Sequence, residues 1–372
     1  MIAPIKHPLS TFVRETAGTA PEEGPISQSS NEIASPLGDE NWDATLLSSG
    51  FGSFFHCAAW ARVLRDTYGY SPMYFTSSAR GQFTHVLPFM EINSWLTGRR
   101  GVSLPFSDEC QPLSTDEAGL KILLGKVMEH AKARRWKYME LRGASGLLPR
   151  SQGSLSYYGH RLELSTDMDR MRHRCARSVP RAVRKAGRSG LTVEFSREMP
   201  ALETFQELLC VARKRQGALP QPMEFFRNIQ RHVLERNLGW VVLARVHGKA
   251  VAGAVFFHFG DTAIFKFGAS DPAFLNLRPN NLIMWEAIQW YASHGFKFLD
   301  FGRTSLDNNG LRRFKLAWGT QEYPIEYNKI AVASGISIPS ADASGSWQSR
   351  VLKNVPIPVS RLVGGALYRH LA

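Results

Sequence analysis

The chain has 372 residues, 44% of them hydrophobic and 21% charged, which excludes a disordered or fibrous protein and leaves room for about two domains with proper cores. Forty-five Lys and Arg against 32 Asp and Glu give a net charge of +13. That balance favours anionic partners (phosphorylated substrates, RNA or an acidic membrane surface) without choosing among them.

Cys57, Cys110, Cys175 and Cys210 stand far apart with no C-x-x-C pair, so neither a zinc site nor a disulfide framework is expected, and no metal is predicted. No signal-peptide pattern and no uninterrupted apolar span occur, and a cytoplasmic protein is expected.

Residues 1–42 are rich in Pro, Ser, Thr, Gly, Glu and Asn and read as a mobile tail. Order is expected from Trp42, with an amphipathic helix from Phe54 to Tyr68 in which His56 is a helix-start residue. Ser71–Phe75, Thr84–Ile92 and Gly101–Phe106 read as strands. Ser103 to Leu113 gathers hydroxyls, Asp108, Glu109 and Cys110 around two prolines, the pattern of an ordered loop lining a site. Cys110 has no base nearby in sequence.

A helix from Leu120 to Arg134 then leads into Trp136-Lys137-Tyr138-Met139-Glu140-Leu141-Arg142-Gly143. The same order of aromatic, Lys, aromatic, aliphatic and acid returns at Phe296-Lys297-Phe298-Leu299-Asp300-Phe301-Gly302-Arg303. In both places strands and a long helix precede it, which predicts two copies of one domain, 43–165 and 166–330, followed by a C-terminal tail, 331–372.

The join is a basic run from Arg170 to Arg188 whose charges fall all round a helix interrupted at Pro180. Such a helix does not read a DNA groove, so no DNA partner is expected. A solvated linker and a wall facing a phosphorylated substrate both fit, and RNA stays open without base-stacking aromatics here.

Helices at Leu202–Lys214 and Met223–Arg236 and strands at Trp240–Val246, Ala250–Phe259 and Thr262–Ala269 lead to Arg278–Thr320, the stretch richest in candidate chemistry. Pro279 and an Asn280-Asn281 cap open an apolar helix, with Arg278 adding charge to a terminus already suited to anions. Asp300 ends a buried strand. A structural pair with Arg303 and a substrate-facing carboxylate are both open. Leu311, Phe314 and Trp318 recur at helical spacing, which sets Arg312 and Lys315 together on the opposite face. Three cations and two helix starts around one strand end suit an oxyanion or phosphate. The last stretch, Val351–Ala372, is apolar and basic; it suits docking on its own domain, with peripheral membrane contact as the other reading.

Ser103-Leu104-Pro105-Phe106-Ser107-Asp108, Val183-Arg184-Lys185-Ala186, Asn281-Leu282-Ile283-Met284-Trp285-Glu286, Phe301-Gly302-Arg303 and Phe314-Lys315 with Trp318-Gly319 resemble the FemAB group of the GNAT acyltransferase superfamily. Within it the chain is similar to CelD-type acetyltransferase-like domains and to FemAB-related proteins of exopolysaccharide and exosortase systems. The resemblance covers about 50–330. It implies an α+β fold of two tandem GNAT-like domains, mixed sheets flanked by helices, with a site between them or beside the second sheet.

It also implies acyl or aminoacyl transfer to an amine of a phosphorylated or lipid-linked envelope precursor, from acyl-CoA or aminoacyl-tRNA, with tRNA as a partner in the second case. The glycine-rich pyrophosphate loop of GNAT enzymes is replaced by Arg278-Pro279-Asn280-Asn281. No long heptad run marks the tRNA-associated arm of some Fem enzymes. The expected roles are Asp300 positioning or deprotonating the amine and Lys315 as the second catalytic group, with Arg278, Asn280, Asn281, Arg303 and Arg312 binding phosphate or oxyanion charge. A non-catalytic precursor- or glycan-binding protein of the same fold is the alternative.

Overall fold

The computed structural model describes residues 30–143, 155–339 and 347–371. Most of the expected tail, residues 1–29, lies outside them. Its last part is a correction: β1 (Ser30–Ala34) runs antiparallel to β2 (Ser71–Ala79) from Ser30↔Ser78 to Ala34↔Tyr74. An edge strand is held by ladder hydrogen bonds, so it leaves little trace in hydropathy.

After α1 (Trp42–Ser48) and α2 (Ala58–Tyr68), β2 pairs antiparallel with β3 (Gln82–Ser94), and β3 with β4 (Gly98–Val102) and the short β5 (Leu113–Ser114). Helix α3 (Glu117–Ala133) crosses over to β6 (Tyr138–Arg142), which is parallel to β4. Strand β7 (Leu155–Glu163) follows, then α4 (Met168–Arg174), α5 (Ser178–Arg188), β8 (Thr192–Ser196), α6 (Met199–Gln216) and α7 (Met223–Ile229).

The second half repeats the plan. β9 (Gly239–Val246), β10 (Lys249–Phe259) and β11 (Thr262–Ser270) form an antiparallel meander, and α8 (Pro279–Ser293) crosses over to β12 (Phe298–Asp300), parallel to β11. β13 (Thr304–Ser305), α9 (Asn309–Leu316), β14 (Gln321–Ala331), α10 (Trp347–Asn354) and α11 (Ile357–Leu367) complete the described chain. The duplicated order expected from sequence is the order found.

The halves exchange their last strands. β7 pairs with β12, aligning Asp300 with Arg161, while β14 pairs with β6, aligning Lys329 with Glu140. β7 and β14 also pair with each other, Pro324 opposite Tyr158. One mixed sheet therefore runs through both halves, and a cut at residue 165 follows the chain rather than the ladders.

Three apolar layers surround this sheet. α3 buries Leu120, Leu123 and Val127 against Phe75, Leu87 and Phe89. α2, α6 and α7 fill the middle, touching Tyr74, Val86 and Met90 on one side and Leu243, Val255 and Phe267 on the other. α8 covers the remaining face with Ile283, Trp285 and Ile288. Covered on both faces, the inner strands read as nearly continuous hydrophobic runs.

The basic run is amphipathic after all. Met171, Val179 and Ala186 are buried, Arg181, Arg184, Lys185 and Arg188 are exposed, and the break falls at Cys175–Arg177. Pro180 lies in the first turn of α5, where its missing N–H costs nothing. The expected C-terminal tail contains two helices that pack on α6.

Candidate active site

The site grows from the loop after β4. Ser103 N donates to Glu140 O at 2.8 Å, Arg142 N to Ser103 Oγ at 2.9 Å and Cys110 N to Arg142 O at 2.9 Å. Tyr327 on the exchanged β14 donates its hydroxyl to Asp108 O at 2.7 Å. Leu104 and Phe106 take φ of 46° and 61°, a conformation costly without glycine and therefore held by its surroundings. Pinned at both ends on β6, the loop presents Asp108 and Glu109 to the second half.

Asp108 meets Lys266 at 2.8 Å, and Lys266 Nζ also donates to Phe106 O at 2.6 Å. The ladder steps from Val255↔Phe267 to Phe256↔Phe265, so Lys266 is the extra residue of a β-bulge. A bulge re-aims a side chain, here a cation only 5% exposed. Burial works against the Asp108 carboxylate, but Lys266, Arg303 and Lys315 outweigh it and hold its pKa below the usual range. Gly302 faces it at φ 69°, and an added Cβ would lie 3.2 Å from the Asp108 carboxyl carbon.

Glu109 goes the other way. Burial pushes its carboxyl up to about 7; the Tyr323 hydroxyl, donating at 2.9 Å, works against that, and Asp300 adds to it. Gly143, at φ 93°, makes room, since an added Cβ would stand 2.6 Å from Glu109 Cγ. Two adjacent carboxyls thus sit in opposite protonation regimes, as sites for proton transfer require.

Asp300 does not pair with Arg303. It accepts a bidentate contact from Arg161, Nε at 2.7 Å and Nη2 at 3.1 Å, because strand exchange puts β7 beside β12. Arg303 lies 4.3 Å over the Tyr157 ring and 5.1 Å over that of Tyr327, which Arg142 also approaches at 5.3 Å.

Lys315, which the helical spacing sets beside Arg312, turns inward: it is 2% exposed and donates to Gly302 O at 2.8 Å and Arg303 O at 2.9 Å. Two carbonyl acceptors make burial of the ammonium tolerable. Burial lowers its pKa to about 8, with Asp108 opposing and Arg303 and Lys266 reinforcing the shift. Arg312 forms a bidentate pair with Glu322 at 2.7 Å and lies 4.1 Å over Tyr158.

The family model of the acetyltransferase (GNAT) domain matches residues 173–323. Over 82 residues the chain is 33% identical to lipid II:glycine glycyltransferase of Staphylococcus haemolyticus strain JCSC1435, 20% of this chain and 19% of that protein. The aligned stretch is thus about a fifth of that relative. The crystal structure of FemX shares the fold at a TM-score of 0.62 and 16% identity, over 80% of this chain and 96% of that one. A tandem GNAT protein from the clavulanic acid biosynthesis pathway superposes at 0.53 and 11% identity, over 84% and 100%. Residues 173–323 thus match a GNAT domain, and the fold as a whole is that of FemX and of a tandem GNAT protein.

The GNAT match contains Lys266, Asp300, Arg303 and Lys315 but ends outside Asp108, Glu109, Arg142 and Arg161. Half of the charged network therefore comes from the first half of the chain, outside the matched domain.

Its third predicted group stands elsewhere. Arg278 is exposed with φ 63°, Asn280 Nδ2 donates to Ser270 Oγ at 3.3 Å, and both Asn281 N and Leu282 N donate to Arg278 O. Ser270 is four residues along β11 from Lys266, roughly 13 Å at strand rise. Pro279 has no N–H, so in this first turn Asn280 N is the backbone donor not committed to Arg278 O. These residues do not fit a cradle of several amides around a CoA pyrophosphate.

Cys110 has a neighbour that the sequence order hid, His56 Nε2 at 3.7 Å from its Sγ, but His56 Nδ1 accepts from Ser53 N, so Nε2 carries the proton and donates to Gln111 O at 2.9 Å. Burial raises the thiol well above its usual range and drops His56 to about 4, so the pair is inert packing. His56 instead caps the turn at Ser53, as expected from sequence.

Sequence reasoning flagged the loop of Asp108 and Glu109 without giving either a role, and missed Arg161 and Lys266. Asp108 carried a signal in the Ser-Leu-Pro-Phe-Ser-Asp motif. Lys266 and Arg161 carried none, since a bulge and a strand exchange are tertiary events.

Proposed function

We propose that the protein is an N-acyltransferase that moves an acyl or aminoacyl group onto an amine of an anionic cell-envelope precursor, at the charged network between its halves. The observation that carries this reading is Glu109, a carboxyl poised near pH 7 beside cations that can hold developing negative charge. Glu109 takes the base role that sequence reasoning gave to Asp300, whose oxygens are engaged by Arg161.

In the reaction the acceptor nitrogen attacks the donor carbonyl carbon and Glu109 takes the nitrogen's proton. The bond from that carbon to the donor's leaving oxygen or sulfur breaks, and that atom takes the proton back from Glu109, which restores the carboxylate. Lys315, with one N–H beyond its two carbonyl contacts, and Arg303 offset the oxyanion. Arg161 and Asp300 orient the acceptor.

The poor fit of the α8 start to a pyrophosphate favours aminoacyl-tRNA as donor over acyl-CoA, and the local likeness to a glycyltransferase supports the same choice. Arg278 and the exposed face of α5 are the surface available to tRNA phosphates. No helix among the described residues is long and apolar enough to cross a membrane. We place the reaction in the cytoplasm, at the inner face of the membrane.

The test offers purified protein glycyl-, alanyl- and seryl-tRNA, and separately acetyl- and longer acyl-CoA, with lipid-linked and nucleotide-linked amine acceptors, and reads products by mass spectrometry. Product from charged tRNA alone is expected. Product from acyl-CoA alone overturns the donor assignment, and no product from any donor favours the binding protein.

A further inference from the structure

Helix α11 seats Ser360 and Gly364 against the protein, with Gly364 so close that an added Cβ would lie 2.5 Å from Pro220 O. Its other side is also apolar. Pro358, Val359, Leu362, Gly365 and Ala366 face outward, Leu362 at 76% exposure, with Arg361 at the edge. A helix with apolar residues on its outer side as well as its inner one leaves a second apolar face for another environment.

The chain end locks this helix to the β3–β4 turn. Ser94 Oγ and His370 Nδ1 stand 2.8 Å apart, Arg100 Nη2 donates to His370 O at 3.0 Å, and Tyr70 donates to Arg369 O at 2.9 Å. Beside this anchor Trp95, 86% exposed, and Leu96, 53% exposed, project from the turn, and Leu371 is 58% exposed. Residues 347–372 contain Arg350, Lys353, Arg361 and Arg369 and no Asp or Glu.

We propose that the Trp95–Leu96 turn and the outer face of α11 form a docking surface for an anionic phospholipid bilayer. Tryptophan and leucine enter the interfacial zone while the flanking arginines and lysine remain at the headgroups. The lack of carboxylates suits a surface of uniform negative potential better than a protein partner, whose mixed charges require both signs.

The position relative to the site gives this docking a use. Tyr368, one residue past α11, lies 5.4 Å from the Phe106 ring, and Phe106 O accepts from Lys266. A bilayer under α11 therefore sits next to the loop that carries Asp108 and Glu109, which suits an acceptor held in that bilayer. Docking itself does not depend on the acyltransfer reading.

The test is co-sedimentation of the full chain with vesicles of phosphatidylcholine alone and of phosphatidylcholine with phosphatidylglycerol, at about 0.15 M salt. A Trp95→Ala, Leu362→Asp double variant, altered only at exposed positions, is compared after its thermal unfolding is matched to wild type. Binding to the anionic vesicles is expected to exceed that to neutral ones by about tenfold or more, and to fall about tenfold in the variant. Equal binding of wild type and variant, or no binding to either vesicle, overturns the proposal. So does a concentration-dependent dimer in light scattering that the variant abolishes, which assigns the face to a second copy. Since no donor or acceptor is present, none of these outcomes bears on acyl transfer.

Discussion

Asp108 of the first half and Lys266 of the second meet at 2.8 Å across 158 residues of chain, both largely removed from water. A buried pair of this kind makes the halves interdependent, because either charge left alone is costly. Lys266→Met should destabilise the protein by about 3–5 kcal/mol, while Asp108→Asn with Lys266→Met should cost less than the sum of the two single changes. Urea unfolding of the four proteins measures the coupling.

The same carboxylate contributes to stability against acid. Its folded pKa is depressed, so its contribution is fully present above the unfolded value of about 3.9 and is lost as pH falls through the folded value. Asp108→Asn should remove this part of the acid-unfolding response, read by stability curves between about pH 5 and 2.

Glu109 has the opposite sign. Its folded pKa of about 7 lies above the unfolded one, so its contribution is present at low pH and disappears as pH rises through about 7. Glu109→Gln should therefore become more stable relative to wild type as pH rises through that range. The same change should lower kcat by about 10²–10⁴-fold if Glu109 is the base. Unchanged transfer in a folded variant would remove it from the mechanism.

With Glu109 required ionised, at about 7, and the Lys315 ammonium required protonated, at about 8, kcat/KM should describe a narrow bell with its maximum between them. Glu109→Gln should erase the acidic limb and Lys315→Ala the alkaline one. A flat profile over this range would contradict both roles. Lys315→Ala should also cost about 10²–10³-fold in kcat, with Asp300→Asn a smaller loss seen mainly in KM, since Asp300 acts through Arg161.

Gly302→Ala adds a Cβ 3.2 Å from the Asp108 carboxyl carbon at φ 69°. The left-handed conformation alone should cost about 1–2 kcal/mol, and displacement of Asp108 should disturb the network. A variant with wild-type stability and turnover would show that the turn and the loop move independently.

Periodicity and residue order determined much of this molecule. The α+β class, the duplicated succession of strands, helix and strand, the helix from Pro279 and the meander before it were legible because each depends on residues near in sequence. The closeness of Asp300, Arg303 and Lys315 in one charged neighbourhood was legible too, since a few residues of turn hold them together. What the tertiary structure decided was their partners. Asp300 faces Arg161 through an exchanged strand, Lys315 turns inward on two carbonyls, and Lys266 reaches Asp108 from a bulge. Such contacts join segments more than a hundred residues apart, or reverse the face that a helical pattern assigns, and they depend on which backbone groups the packed chain leaves unsatisfied. No local pattern records that balance.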